Sequence, residues 1–345
     1  MRLTLGVLLI TCLAGAAVGA PDGGQLFNTH CAACHGDKGG GGVGVPLALP
    51  AFLESVDDAF LHKTIRLGRP GRVMPAFTKL SDAQIDAIVS HIRGWSGKPA
   101  PEFQDTPVKG DPQIGKTLFA RHCSGCHGTN GEGGKGTGVT FSRKRDLPII
   151  APALNNYGFL SAASDAMIRY TLMHGREGTP MQSFLAQGLT EIDIDNLVSY
   201  VRSFAKQAEV TAHHPDTTGK VLVAESPYTL EETVKNLEQA IVSQNFLLIR
   251  TEYLEHGLVE EGQENRKQVV MHFCNFRFLY EALAIDPRVG MFLPCRVTVV
   301  ERDGKVLVMT INPLYLSSLF NNQELDESCK EMHAVYSAII EDATL

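Results

Sequence analysis

The fold of this chain is decided by two short stretches, Cys31-Ala-Ala-Cys34-His35 and Cys123-Ser-Gly-Cys126-His127. CxxCH is the attachment motif of c-type haem: the two thiols add to the haem vinyl groups and the adjacent imidazole ligates the iron. A thioredoxin-like redox pair or half of a zinc site would need a βαβ context or a second cysteine pair nearby, and the sequence shows neither. We therefore predict two covalently bound haems c, attached through Cys31, Cys34, Cys123 and Cys126, with His35 and His127 as iron ligands.

The two motifs lie inside an internal repeat. Aligned on itself, the chain pairs His30 with His122 at an offset of 92 and Met74 with Met181 at an offset of 107. Most of the growth in offset comes from an insertion around residues 135–148 of the second copy. One domain has been duplicated.

The second axial ligand of each iron must come from the segment between the histidine and the final helix of each copy. Met74 precedes Pro75, and Met181 follows Pro180, at matching places in the repeat. A methionine in a core is usually packing, but these two stand in loops beside proline. We predict Met74 and Met181 as the ligands, with His174 as the rival in the second copy.

Helix signals accompany both motifs. Asp111-Pro112 predicts an N-cap and first helical residue, and Ser81–Gln84 and Thr190–Asp193 predict capping boxes before the final helix of each copy. With these features, residues 22–205 resemble two tandem class I cytochrome c domains, which are small all-α folds, placed at 21–98 and 108–206. The resemblance implies an electron carrier whose irons have two protein ligands each, rather than a catalyst.

The first twenty residues indicate the compartment. Arg2 is followed by an apolar run and then by small residues up to Ala20, the pattern of a secretory signal peptide at 1–20. An uncleaved anchor is the alternative. We expect a periplasmic protein with no integral membrane span in its mature form.

The charge distribution limits the partners. The chain has 345 residues and a net charge of −7, and residues 213–345 carry 11 basic against 20 acidic side chains. This argues against nucleic-acid binding. Redox proteins, an electron donor and an acceptor, are the expected partners. A run of basic residues lies close to Met74 in the sequence: Lys63, Arg66, Arg69 and Arg72. It is either a docking patch for a redox partner or an ordinary solvated face.

From residue 226 to 345 the pattern changes to alternating helices and strands, which predicts an α+β domain after a linker over 205–227. Thr229–Glu232 predicts a helix N-terminus, and Asp303-Gly304 predicts a hairpin. The segments Met271-His-Phe-Cys274-Asn-Phe276 and Gly290-Met-Phe-Leu-Pro294-Cys295-Arg296 resemble the family known as domain of unknown function 302.

A possible site in this last domain consists of His272, Cys274 and Cys295. His272 and Cys274 lie two apart on a predicted strand and so share a face. We predict that the two cysteines are neighbours linked by a disulfide, with buried free thiols and a metal or reactive site as alternatives.

The chain is thus predicted to be a multidomain protein with two all-α class I cytochrome c domains followed by an α+β domain. The predicted function is electron transfer between redox partners. Two alternatives remain open: an oxidoreductase whose C-terminal domain oxidises a small substrate, and a sensing or binding module tethered to a cytochrome.

Overall fold

The computed structural model describes residues 20–42, 44–104, 106–134, 151–205 and 219–345. The predicted signal peptide, apart from Ala20, and the insertion at 135–148 lie outside the described residues. No helix within the described ranges is long and apolar enough to cross a membrane.

The two repeats are helical, as predicted. In the first, α1–α5 span Gly23–His30, Ala32–His35, Pro50–Leu53, Asp58–Leu67 and Asp82–Arg93. In the second, α6–α10 span Pro112–His122, Ser124–His127, Tyr157–Ala162, Asp165–His174 and Glu191–Ser203.

The predicted helix starts are confirmed. Asp111 caps α6 with Pro112 at the first position, and both capping boxes form, Ser81 with Gln84 before α5 and Thr190 with Asp193 before α10. Each cap satisfies backbone N–H groups that have no partner inside the helix, and this explains why the helices begin where they do.

In each repeat the first and last helices cross at a glycine. A β-carbon on Gly23 of α1 would lie 2.0 Å from the carbonyl oxygen of Ala87 in α5, and one on Gly115 of α6 would lie 2.0 Å from that of Asn196 in α10. Only glycine allows this approach. The buried side chains of both repeats form one continuous apolar cluster, from Phe27 to Phe204.

The C-terminal domain is α+β. Within residues 219–345, β1–β5 span Val221–Ser226, Leu247–Tyr253, Gln268–Cys274, Cys295–Arg302 and Lys305–Ile311. These strands form an antiparallel sheet of order β1-β5-β4-β3-β2. Helices α11–α14 span Leu230–Ser243, Phe276–Ile285, Leu314–Phe320 and Asp326–Thr344, with 3-10 helices at Pro287–Phe292 and Gln323–Leu325.

The core of this domain lies between one face of the sheet and helices α11 and α14. Ile241 of α11, Val299 of β4 and Ile339 of α14 are buried in the same cluster. A second cluster forms between α12, α13 and α14 and includes Phe320 and Leu325.

The predicted start of this domain at 226 is wrong. The segment we interpreted as linker contains β1, which pairs with β5 from Val221–Ile311 to Ser226–Val306. Edge strand β1 begins with four consecutive apolar residues, of which Val221 and Val223 are exposed, so its sequence lacks the apolar–polar alternation of a half-buried strand. Its hydrogen-bond partners in β5 lie about 80 to 90 residues further along the chain.

Candidate haem centres

In the first repeat, α1 and the short helix α2 present the attachment residues. Cys31 caps the end of α1, and Cys34 and His35 follow on α2. Both cysteines are free thiols. Burial raises the pKa of Cys31 to about 11, so this thiol is protonated and available as the S–H group that adds to a vinyl carbon.

The ring of His35 is fixed in orientation. Its Nδ1–H donates to the carbonyl oxygen of Val45 at 2.9 Å, which leaves Nε2 as the basic nitrogen. Burial lowers the pKa of His35, favouring the neutral ring that a metal requires. A β-carbon on Gly44 would lie 2.5 Å from the ring, so glycine is needed beside it.

The second repeat reproduces this arrangement. Cys123 ends α6, and Cys126 and His127 lie on α7. Nδ1–H of His127 donates to the carbonyl oxygen of Pro152 at 2.9 Å. Burial lowers the pKa of His127 despite this bond, and the nearby positive charge of Arg176 lowers it further.

The methionine loops also correspond. The N–H of Arg69 donates to the carbonyl oxygen of Met74 at 2.9 Å, and the N–H of Arg176 donates to that of Met181 at 2.6 Å. Both methionine side chains are partly exposed, as expected for groups whose partner would be a bound haem. The rival His174 is exposed; it stacks on Tyr170 at 4.1 Å between ring centroids and bonds to the Tyr170 carbonyl.

The two repeats pack on each other through equivalent residues. The guanidinium of Arg69 lies 6.0 Å from the ring of Phe159 in the second repeat, and that of Arg176 lies 5.3 Å from the ring of Phe52 in the first. The two arginines are 107 positions apart, and so are the two phenylalanines, which is the offset of the repeat in this region. The contact is therefore pseudo-symmetric, with each methionine loop facing the other repeat.

Arg69 and Arg176 have no carboxylate partner among the described residues. Arg69 donates to Gly68 and Thr64, and Arg176 to the hydroxyl of Ser55. Burial lowers the pKa of each to about 10. A partly buried cation that is removed from water without a counter-charge is costly, and the propionate groups of a haem would supply one. Thiols, a fixed histidine, a methionine loop and a partly buried arginine without a carboxylate partner together fit haem c in each repeat.

The sequence did not lead us to predict Arg69 and Arg176 as interface residues, although they occupy matching positions in the internal repeat. The basic run near Met74 forms neither a docking patch nor an ordinary solvated face. Arg66 pairs with Asp82 of its own domain at 2.6 Å, and Arg69 lies in the interface between the repeats. Arg72 pairs with Glu324 of the C-terminal domain at 2.6 Å. Lys63 alone of the four is exposed.

The possible third site does not assemble. The register of β3 with β4 pairs His272 with Arg296 and Phe273 with Cys295, so His272 and Cys295 point to opposite faces of the sheet. Nε2 of His272 instead lies 3.2 Å from the carboxylate of Glu252. No group of three metal-ligating side chains occurs in the part of the chain that the structure describes.

The three cysteines of the C-terminal domain meet around one apolar cavity of about 70 Å³, which Met332 and Tyr336 also line. The expected disulfide is not formed: Cys274 and Cys295 are free thiols, and the Tyr336 side chain is hydrogen-bonded to Cys295. Burial raises the pKa of Cys274 and Cys295, and that of Cys329 to about 11. This geometry matches the alternative of buried thiols, which are unreactive when protonated.

Comparison with known families agrees with this architecture. The family model described as "Cytochrome C oxidase, cbb3-type, subunit III" matches residues 19–92, "Cytochrome c" matches 112–205, and "Domain of unknown function DUF302" matches 222–343. The chain therefore carries two cytochrome c domains followed by a DUF302 domain. Cytochrome c domains bind haem c covalently and carry electrons.

Curated relatives match the cytochrome part. A cbb3-type cytochrome c oxidase subunit CcoP of Azospirillum sp. (strain B510) is 30% identical over 195 residues, covering 52% of this chain and 60% of the relative. The subunit of the same name from Rhodobacter capsulatus is 30% identical over 199 residues, covering 52% and 61%. The chain thus spans about three fifths of the length of these relatives.

Among solved structures, an uncharacterized conserved protein DUF302 from Bacillus stearothermophilus is 20% identical. The match has a TM-score of 0.34 and covers 36% of this chain and 99% of that chain.

Proposed function

We propose that this chain is a periplasmic dihaem electron carrier that accepts electrons from one redox protein and delivers them to another. The observation that carries the proposal is the duplication of a complete ligand set. In each repeat a CxxCH histidine is held to a backbone carbonyl at 2.9 Å, and a methionine loop stands at the equivalent position.

The chain's own residues explain how such a carrier would work. The haems would be tethered by Cys31 and Cys34 and by Cys123 and Cys126. Their irons would be held by Nε2 of His35 and His127 and by the sulfur atoms of Met74 and Met181. When bound, haem c supplies a one-electron ferric–ferrous couple, and histidine–methionine ligation raises its potential. Two protein ligands on each iron leave no position for oxygen or peroxide, which suits transfer rather than catalysis.

The packing of the repeats supports transfer from one haem to the other. Both methionine loops face the interface between the repeats, and Arg69 and Arg176, which have no carboxylate partner among the described residues, lie in it and would hold the propionate groups of the haems. The relatives named as subunits of a cbb3-type oxidase support a respiratory setting, with a cytochrome or oxidase as acceptor. The signal-peptide pattern at 1–20 supports the periplasm as the compartment.

Mass spectrometry of protein purified from the periplasm tests haem number and processing. We expect a mass increment of two haems, with residues 1–19 or 1–20 missing. A single-haem mass or an intact N-terminus would overturn the proposal.

Axial ligation is tested with Met74→Ala and Met181→Ala in the full chain. Each should open one iron to imidazole and remove half of the methionine–iron charge-transfer absorption. His174→Ala is the matched control and should leave the spectrum unchanged. If His174→Ala changes it and Met181→Ala does not, the assignment in the second repeat is wrong.

A second candidate function concerns the apolar cavity of about 70 Å³ at Cys274, Cys295 and Cys329, which is large enough for an apolar molecule of only a few heavy atoms. If that molecule is also oxidised, the ferric haems would accept its electrons. Anaerobic mixing of the ferric protein with small organic substrates tests this, because an oxidoreductase would show substrate-dependent haem reduction and a pure carrier would not.

A further inference from the structure

The C-terminal domain touches the first methionine loop through a short segment, residues 321–324, which begins at the end of α13. This segment lies against residues 69–74 of the first repeat, and Arg72 and Asn322 form an isolated antiparallel bridge. We call residues 321–324 the clamp segment.

The side chain of Asn321 hydrogen-bonds to the main chain at the start and at the end of the Met74 loop. Its Oδ1 accepts from the N–H of Gly71 at 2.7 Å, and its Nδ2 donates to the carbonyl oxygens of Arg69 at 3.0 Å and Met74 at 2.9 Å. One amide side chain thus holds the start and the end of the loop. The Met74 carbonyl also accepts from the N–H of Arg69, which closes the loop. Asn321 therefore donates a second hydrogen bond to the same carbonyl oxygen.

Backbone and charged groups add to this contact. The N–H of Val73 donates to the carbonyl of Asn321 at 2.5 Å, and the N–H of Gln323 donates to that of Gly71 at 3.0 Å. Arg72 pairs with Glu324 at 2.6 Å and also donates to the carbonyl of Gly134 in the second repeat at 2.8 Å. The loop is therefore held from outside its own domain.

The loop needs such support because Val73 has a φ of 67°. A β-branched residue in the left-handed region is strained and persists only where the surroundings over-determine it. The main-chain bond from Val73 N–H to the Asn321 carbonyl fixes the residue directly before the ligand, and the Asn321 side chain fixes Gly71 and Met74 on either side of it.

The clamp segment is itself anchored. Asn322 Nδ2 donates to the carboxylate of Asp286 at 3.2 Å. The guanidinium of Arg288 donates both to this carboxylate and to the carbonyl oxygen of Phe320, each at 2.7 Å. Phe320 and Leu325, which flank the segment, are 3% and 1% exposed. Movement of the clamp would therefore require movement of the C-terminal domain's own core.

We propose that Asn321 is a positioning residue for the first haem: through it the C-terminal domain holds Met74 on the iron and sets the ligation and potential of that haem alone. The inference rests on the proposed ligation by Met74. The second haem does not depend on the clamp segment. Among the described residues, the hydrogen bonds of the Met181 loop lie within the second repeat or, from Arg176, reach Ser55 of the first repeat, and none reaches the C-terminal domain.

The test uses the full chain with both haems in a Met181→Ala background, so that the remaining methionine–iron absorption belongs to the first haem. Asn321→Asp keeps the acceptor for Gly71 and tolerates the left-handed backbone, but it replaces the donor with an oxygen that repels two carbonyls. We expect the rate at which imidazole displaces Met74 from the ferric iron to rise about tenfold. The potential of the first haem should fall.

Asn245→Asp is the matched control. Asn245 is also left-handed, with φ 60°, is exposed, and lies on the C-terminal domain at the end of α11. It should leave the displacement rate and the potential unchanged. Asn321→Gly, which keeps the left-handed backbone and removes both amide functions, is the second variant if Asn321→Asp does not fold.

The outcomes separate the two proposals. If Met74→Ala opens the first haem but neither Asn321 variant differs from Asn245→Asp by more than about twofold in displacement rate, the positioning role is overturned and the ligation stands. If Met74→Ala leaves the first haem closed, the ligation itself is wrong. A change at the second haem equal to that at the first, measured with Met181 intact, would also overturn the positioning role.

Discussion

Val73 and Pro180 occupy the same place in the two methionine loops, one residue before the ligand, and they shape the loops by opposite means. The proline ring restricts φ to about −65°, and the Thr179 hydroxyl accepts from the N–H of Met181 at 3.0 Å, so the second loop is preorganised by its own residues. Val73 has a φ of 67° and is held by Asn321, some 250 residues away. Duplicated domains can thus keep a ligand in one place by local chemistry in one copy and by another domain in the other.

The largest effect is expected from Val73→Pro, which places the second loop's residue in the first. Proline cannot adopt φ 67° and has no N–H for Asn321, so we expect a loss of about 3 kcal/mol in the stability of the first repeat. Denaturant unfolding followed at the haem bands measures it. Full stability and normal methionine absorption in this variant would show that the two loops are interchangeable and that Val73 needs no support from Asn321.

The next effect concerns the contact between repeats. A β-carbon on Gly158 of α8 would lie 2.1 Å from the carbonyl oxygen of Gly68, so Gly158→Ala should cost roughly 1–3 kcal/mol and separate the repeats. Gly125→Ala is the control: nothing lies within 4 Å of its β-carbon position, and the first repeat has Ala33 there. Equal unfolding midpoints for both variants would contradict the close approach of α8 to the first loop.

Acidification should distinguish the loops as well. Burial alone would raise the pKa of Asp286, but hydrogen bonds from Arg288 and Asn322 outweigh it and the net shift is downward. A carboxyl whose pKa is lowered on folding contributes stability above its unfolded pKa of about 4, and that stability is lost as pH falls through the folded value. Below about pH 4, Met74 should therefore leave its iron before Met181 does, as read from the absorption of Met181→Ala and Met74→Ala proteins.

The smallest effect is a gain. Val73→Gly removes the strain at φ 67° and should stabilise the first repeat by about 1 kcal/mol in calorimetric unfolding. It should also reduce the effect of Asn321→Asp, because a glycine loop needs less external support. A double-mutant cycle measures this coupling, and strictly additive effects would mean that Asn321 does not act through the conformation of residue 73.

Local patterns were sufficient for much of the fold. The capped starts of α5, α6, α10 and α11 and the hairpin of β4 and β5 about Asp303-Gly304 lie where the sequence predicts them. Capping and periodicity depend on residues within a few positions of each other, so they can be read without a partner. The edge strand β1 was missed because its pairing partner lies elsewhere in the chain.

The failures at candidate sites have a similar origin. His272 and Cys295 were expected to converge, but which face of a sheet a residue takes depends on its register with a neighbouring strand. The basic run near Met74 was interpreted as a free surface, yet Arg69 and Arg72 contact two other domains. Nothing in the sequence near residue 72 indicates a partner at residue 324.

The sequence by itself determined the chemistry of the haem centres: two CxxCH motifs, two methionines at matching repeat positions and the capped helices that carry them. These are covalent and short-range features, and the residues that make them are adjacent in the chain. The tertiary structure alone decided that the two repeats face each other through Arg69 and Arg176 and that Asn321 holds the Met74 loop. Those contacts join residues about 90 to 250 positions apart, so only packing of whole domains brings them within hydrogen-bonding or ring-contact distance.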